Sequence, residues 1–528
     1  MSVAGQRHPR RRTLLFPLML LAGTSAVVFI GFYIIDWFLS HQRANPFVEL
    51  FTFDVDTLQN ALGNMAQVVA AILGIVITVV SIVVQLAATR YTPRIADMFF
   101  RDRTNLGVLA FFVVACINAV WVSVSVEKEF VPRVSIIVTM GFVTTSLLMM
   151  VPYFAYVFDF LDPDRVVGRI QEQAVASAAG DGLIASDVES RQRRALTGVE
   201  QLSDIAVNAV SQKDKAIAAG SVNSIKDLLV TYFAKKSTIA VEWFAIGHEL
   251  RQNPDFVALS PESVDDLASK RVWLEWKALR QYQSIYNESL GEMPEINNLI
   301  AIDTRYIGEA ALKANDREST GLAIKFFNTF LRATLNAQQV RTAYNVLNQY
   351  RQLAERALDV GHHALVGEVA FYLKYYGQVA HSMDLGFVTE TVAYDLATLC
   401  ERAFNAHQAV HDMVLARLLE LDKEAESVEQ EHTLRGVRKA QAKLASFYLS
   451  AGAEGEPKAR QIFDDMREER PERLRSIRDE LLKVESKDFW EVIDRGTNFD
   501  YLDAARKAQL KVFFSWFPSL AVKETVSA

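Results

Sequence analysis

At 528 residues the chain exceeds one typical domain, and 50% hydrophobic beside 23% charged residues implies strongly apolar segments next to ordinary polar ones. With 56 Lys+Arg against 63 Asp+Glu, the basic excess of a nucleic-acid binder is missing, and no nucleic-acid partner is expected. Two cysteines, Cys116 and Cys400, exclude a disulfide framework and fit a chain whose bulk lies in a reducing compartment.

Four stretches carry no charge: 13–35, 57–89, 104–126 and 134–158. Each supplies the roughly 20 apolar residues that cross about 30 Å of hydrocarbon. They predict a four-helix transmembrane domain over 13–160, with spans at about 13–37, 64–88, 105–126 and 134–158. Arg7, Arg10, Arg11 and Arg12 of the basic arm at 1–12 could head a secretory signal, but the following apolar run exceeds such a signal's core, so an uncleaved span is expected. Arg90, Arg94, Arg101 and Arg103 crowd the loop after the second span, whereas the opposite loops hold only Arg43, Lys128 and Arg133. Lys/Arg near span ends stay inside, so both termini are predicted to be cytoplasmic in a cell's inner membrane.

On the second span Ala66, Ala70, Gly74, Thr78, Ser81, Gln85 and Thr89 recur at steps of three and four, which places them on one face. Two readings fit: close helix packing through small residues, or a water-lined path with Ile75, Val79 and Val83 turned away from it. No Asp, Glu, Lys or Arg sits at depth in any span, which disfavours a proton-coupled pump. At the cytoplasmic end Pro93 stops the helix, and Arg90, Tyr91 and Arg94, followed by Arg101 and Arg103, form an interfacial basic loop. It serves either as an ordinary anchor or as a ring that draws anions and acidic headgroups.

The segment from Val79 to Val122 resembles the core of a bacterial predicted-membrane-protein family, domain of unknown function twenty-two fifty-four, through Gln85, Leu86, Ala87, Tyr91, Pro93, Arg94, Phe99 and Asp102. Gln201, Leu202, Asp204, Ile205 and Ala206 are similar to a second motif of that family. The resemblance implies a membrane location rather than a mechanism. The family follows its second motif with a Pro/Gly/Asn/Asp-rich turn, whereas this chain continues from Gln212 to Ala218 in a way that predicts no turn.

From Arg165 onward apolar residues recur at three and four with no sustained alternation, so an exit helix and hinge over 161–190 and an all-helical cytoplasmic domain over 191–528 are predicted. Small residues at 177–182 make the hinge. Ser260-Pro261 reads as N-cap and N1 of a helix carrying Val272, Trp276, Leu279, Tyr282 and Tyr286 on one face. His362-His363 after Gly361 reads as a helix start. Leu444, Tyr448, Gly452, Ala459, Phe463 and Pro471 fall nearly where a tetratricopeptide hairpin puts its small, aromatic and terminating residues, though no 34-residue self-similarity accompanies them. A helical-repeat-like bundle is the expected architecture. The apolar stretch 512–522 is too short to cross a membrane and must be covered, by docking on its own domain in the first place, or else by a subunit contact or by insertion at the membrane surface.

Strong enzymatic signatures are missing: there is no P-loop, HExxH, GxSxG or CxxC, and no cofactor or catalytic residue is predicted. Cys400, His407 and His411, at i, i+7 and i+11, would share a helical stripe able to contribute zinc ligands, but no fourth ligand is apparent, and ordinary helix-face residues are the expected reading. The chain is therefore expected to be a non-enzymatic membrane protein. It would act either as an anchored interaction scaffold with a cytoplasmic protein partner or as a homo-oligomeric ion or small-solute channel lined by the second span.

Overall fold

The computed structural model of the chain describes residues 55–90, 94–127, 131–180, 188–422, 431–489 and 498–521, with isolated positions within 23–34 and 491–496. The chain folds as two compact units, Met1–Val166 and Val167–Ala528. Regular structure is helical, and no strand occurs among the described residues.

The first unit contains α1 (Val55–Arg90), the short α2 (Arg94–Phe100), α3 (Arg103–Val124) and α4 (Arg133–Phe160). Three of these, α1, α3 and α4, are long and apolar enough to cross a membrane. The predicted first span at 13–37 lies outside the described residues, apart from helical positions at Gly23, Val27, Ile30, Gly31 and Ile34. α1 begins at Val55, ahead of the predicted start at 64, with Asp56 in its first turn, where a carboxylate favours a helix N-terminus. At 1.5 Å per residue its 36 residues run about 54 Å, longer than a bilayer core. Its extra turns are used: Leu58 and Leu62 pack with Val122, Val126 and Ile136, and Gln59 Nε2 donates to the Val126 carbonyl at 2.6 Å.

The second unit takes over within α5 (Pro163–Ala179) and continues through α6 (Val188–Ser211) and α7 (Lys215–Lys236). The turn between α6 and α7, which the sequence argued against, is present. Lys213 adopts φ +59°, the Asp214 amide donates to the Ala209 carbonyl at 2.8 Å, and Asp214 caps α7 through the Ile217 amide. The structure also corrects the predicted long helix after Ser260. Ser260 and Pro261 do open α8 (Pro261–Ser269), but Arg271 at φ +57° ends it, and a new helix α9 (Trp273–Ser289) carries Trp276, Leu279, Tyr282 and Tyr286.

Beyond α9 the chain becomes regular. α10 (Pro294–Lys313), α11 (Arg317–Asn336), α12 (Val340–Asp359), α13 (His363–Ser382), α14 (Gly386–Phe404), α15 (Gln408–Leu419) and α16 (Glu431–Ser450) follow one another. The first five start at 294, 317, 340, 363 and 386, a step of 23 residues. Their turns keep the same step: Asn315, Gln338, Gly361 and Asp384 all hold φ between +54° and +81°. In each, the next amide reaches back to the carbonyl five residues before, as from Asp316 to Ala311 at 2.9 Å and from His362 to Ala357 at 2.9 Å, the Schellman closure of a helix end. One core position recurs with the step, as Ile300, Ala323, Val346, Val369 and Val392, and all five are fully buried.

Alternate helices pack side by side. Row one is α6, α9, α11, α13 and α15; row two is α7, α10, α12, α14 and α16. This is a two-row helical solenoid, each helix pair burying what one pair alone could not. Gly308, Ala354 and Cys400 stand 46 residues apart at equivalent places on row two, where a Cβ at Gly308 would already crowd Leu353 at 2.9 Å. Small size is therefore what the position of Cys400 requires. After α16 come α17 (Glu456–Met466), α18 (Pro471–Lys483), α19 (Ala504–Ser515) and α20 (Pro518–Ala521). The C-terminal apolar stretch docks on its own unit: Phe513, Phe514 and Phe517 are buried, and Phe517 lies 4.8 Å from the Phe463 ring.

Leu353→Ala, at a fully buried contact with Gly308, is expected to destabilise the second unit by roughly 2–5 kcal/mol. Gly321→Ala, where a new Cβ meets nothing, should stabilise by about 0.5–1 kcal/mol; denaturant unfolding of the full chain in detergent reads both. Burial pushes the Asp303 carboxyl on α10 up to about 7, with Lys226 opposing. Between about pH 4 and 7 the folded chain therefore holds a proton that the unfolded chain has released, so stability falls as pH rises through that window. Asp303→Asn should flatten that fall, measured by unfolding at pH 5 and pH 8.

Candidate functional site

On α1 the small and polar stripe is not the packed face. Val69, Val76, Val80 and Val84 are buried, whereas Ala70, Gly74, Thr78, Ser81 and Gln85 are exposed and Ala66 is half-buried. A Cβ at Gly74 would meet nothing within 4 Å. Thr78 satisfies its hydroxyl on the Gly74 carbonyl at 2.9 Å; no partner for Gln85 is found among the described residues. The basic loop is built around α2: Arg90 is the last residue of α1, Arg94 the first of α2, and Arg101 and Arg103 are exposed at the α2–α3 turn. Tyr91 and Pro93 lie outside the described residues.

Two residues that carry the family resemblance have clear work here. Phe99 is fully buried, edge-on to Phe160 at 5.2 Å. Asp102 caps α3 by accepting from the Thr104 and Asn105 amides at 2.8 and 3.1 Å, and Tyr156 of α4 donates to the same carboxylate. Buried Asn105 completes the tie, donating to the Phe99 carbonyl and accepting from the Tyr153 hydroxyl at 2.6 Å. These bonds fix the loop to the ends of the spans.

The candidate metal residues are not brought together. The helix breaks between Phe404 and Gln408, so Cys400 belongs to α14, His407 is the N-cap of α15 and His411 lies inside α15. Among the described residues no group of three or more His, Cys, Asp or Glu side chains could hold a metal ion. His411 donates or accepts at Tyr448 Oη, 2.6 Å away, and contacts Asp412 at 2.8 Å, while burial lowers its pKa and raises that of Cys400. His407 lies against His363, the rings tilted at 34° with centroids 4.0 Å apart.

The most elaborate arrangement of functional groups lies on row two and escaped the sequence reading. Asp303, Gln349, Asp395 and Gln441 recur every 46 residues on α10, α12, α14 and α16. Arg305 Nε donates to Gln349 at 2.7 Å, and Arg351 Nε donates to Asp395 at 3.0 Å, so each cation reaches the acceptor one row-two helix further on. Between α18 and α19 the segment 484–503 crosses this ladder, with no helix among its described residues. Arg495 fills the second side of Asp395, with Nη1 at 2.5 Å and Nη2 at 3.2 Å, donates to the Tyr344 carbonyl at 2.6 Å and lies 4.2 Å over the Tyr344 ring. The pair is sealed, with side chains 5% and 2% exposed.

Four residues further on, Phe499 stacks on Tyr394 at 4.8 Å and 13°, while Lys443 donates to its carbonyl. Asp500 then accepts from the Tyr394 hydroxyl and pairs with Lys439 at 3.1 Å. On the near side Asp494 accepts from Asn345 at 3.0 Å and faces Arg341. Cavities of about 530 and 690 Å³ border the segment, the first lined by Asn348, Gln352, Thr398 and Lys443, the second by Val340, Phe387 and Glu390. The face thus grips an irregular stretch of polypeptide by one buried guanidinium, one ring and one carboxylate, with room beside each.

The spans and this helical unit define a membrane protein with a large helical-repeat region. Residues 10–242 match the model of the family described as predicted membrane protein (DUF2254), a stretch that includes the described spans and the first helices of the second unit. No curated protein matches the chain. A solved structure, a circular tandem repeat protein with novel repeat topology and enhanced subunit contact surfaces, aligns over 72% of this chain and 93% of its own at 13% identity, with a TM-score of 0.30, at which the two folds are not equated.

Asp395→Ala removes the carboxylate that Arg351 and Arg495 share, so that Arg351 keeps Glu355 while the buried Arg495 loses its counter-ion, and is expected to cost about 3–5 kcal/mol of stability. Glu401→Ala, which removes the partly exposed bidentate partner of Arg506, should cost about 1 kcal/mol or less in the same unfolding assay.

Proposed function

We propose that this protein is a scaffold held in a cell's inner membrane, with both termini in the cytoplasm and row two of its helical unit offered to segments of other proteins. The observation that supports this most directly is the grip of row two on residues 484–503: a solenoid face with a buried acceptor, aromatic platforms and flanking cavities that accommodates extended polypeptide. Such recognition works by side-chain pockets and complementary charge and needs neither a catalytic group nor a cofactor. Anchoring adds to it, because a receptor confined to a membrane meets membrane-bound partners at raised local concentration.

A second reading, the homo-oligomeric channel, draws on the exposed stripe of α1. In this reading Ala70, Gly74, Thr78, Ser81 and Gln85, exposed on the single chain, line a path for water and solute between copies. A photoreactive residue placed at Gln352 or Thr398 in intact membranes separates the readings. The scaffold yields adducts with a second polypeptide. Adducts confined to this chain, together with liposome flux that Gly74→Leu or Gln85→Leu abolishes, would transfer the assignment to the channel.

A further inference from the structure

We infer that residues 484–503 are a built-in stand-in for the partner, occupying the row-two groove in its place, and that the partner is an extended protein segment with an arginine, an aromatic residue four positions later and a carboxylate directly after it. The inference rests on the scaffold reading and names what that scaffold recognises. Three features of the molecule support it.

The groove is complete without its occupant. α10, α12, α14 and α16 pack on one another in the row, and Asp395 already has Arg351 as a partner from within it. The occupant, in contrast, is held as a ligand is held. Its described residues within 484–503 form no helix, its anchors are the side chains of Arg495, Phe499 and Asp500 with flanking Asp494, and open clefts of about 530 and 690 Å³ run beside it. Third, the anchors are spaced as a recognition code. The Arg495 guanidinium enters between Tyr344 and Asp395, the Phe499 ring lies flat on Tyr394, and the Asp500 carboxylate meets Lys439 and the Tyr394 hydroxyl. A foreign segment with the same three groups at the same spacing makes the same contacts.

The tether sets the competition. A segment joined to its groove through α18 and α19 acts at an effective concentration on the order of millimolar, so a partner binds the resting protein only weakly, and binds well once the segment is released. Weakening the anchors by substitution should therefore strengthen binding in trans.

The test uses the full-length protein in detergent and a fluorescent peptide of residues 484–503. The variant carrying Arg495→Ala and Phe499→Ala should bind this peptide at least tenfold more tightly than the unsubstituted protein. A peptide with the same two alanines should bind neither protein, and added salt should weaken the interaction. Trypsin cleavage after Lys487, faster in the double variant, reports release of the segment; circular dichroism and the thermal midpoint report that the rest stays folded, and Phe499→Ala alone serves if the double variant does not. Equal affinity of the opened and unsubstituted proteins, equal binding of both peptides, or an opened variant whose segment is still protected from trypsin would each overturn the inference. Failure of the scaffold reading looks different: the peptide binds in trans while no second polypeptide is crosslinked in membranes.

Discussion

A 20-residue helix closed by a three-residue turn recurs from α10 to α13, and the arrangement of the second unit depends on that step. Because the turn is short and its middle residue is left-handed, each helix reverses direction at a fixed length, and every second helix presents the same face at the same height. The cost is borne at Asn315, Gln338 and Asp384, where a side chain occupies a conformation that glycine adopts freely. The return is a core position filled by Ile, Ala or Val in each helix and a small residue wherever row-two helices approach closely.

The same register creates chemistry. A spacing of 46 residues lines up Asp303, Gln349, Asp395 and Gln441, and Arg305 and Arg351, two residues after Asp303 and Gln349, link one row-two helix to the next. At Asp303 the acceptor is buried with the Lys226 ammonium 3.9 Å away, and its carboxyl is pushed up to about 7. At Asp395 the acceptor has two guanidinium partners, one from the ladder and one from the C-terminal segment. The difference between these two repeats is what lets the ladder hold the C-terminal segment at Asp395.

Much of this was legible in the chain. Charge-free runs marked α1, α3 and α4; Ser260-Pro261 and His362-His363 marked helix starts; and the aromatic residues at 513–517 marked a surface that had to be covered. The repeat was not, because it is carried by one aliphatic or alanine position per helix and by turn residues as different as Asn, Gln, Gly and Asp, and because its step of 23 is not the 34 of the hairpin family whose pattern 444–471 approaches. Cys400, His407 and His411 looked aligned only while the helix was taken as continuous; the break after Phe404 undoes the spacing. Arg495 and Phe499 gave no periodic signal at all, since an extended segment bound to a groove has no period of its own. Their significance comes from Asp395 and Tyr394, about a hundred residues earlier in the chain.

On the reading proposed above, the rows form one cooperative body and the 484–503 segment is a separable occupant of it. Native-state hydrogen exchange measured residue by residue on the full chain tests this most directly. The account predicts that amides in α10 to α16 exchange together and slowly, while the hydrogen-bonded amides of Gly496, Asn498 and Tyr501 open independently and at least tenfold faster. Protection of those three amides equal to that of the row-two helices would make the segment part of the core and contradict the account.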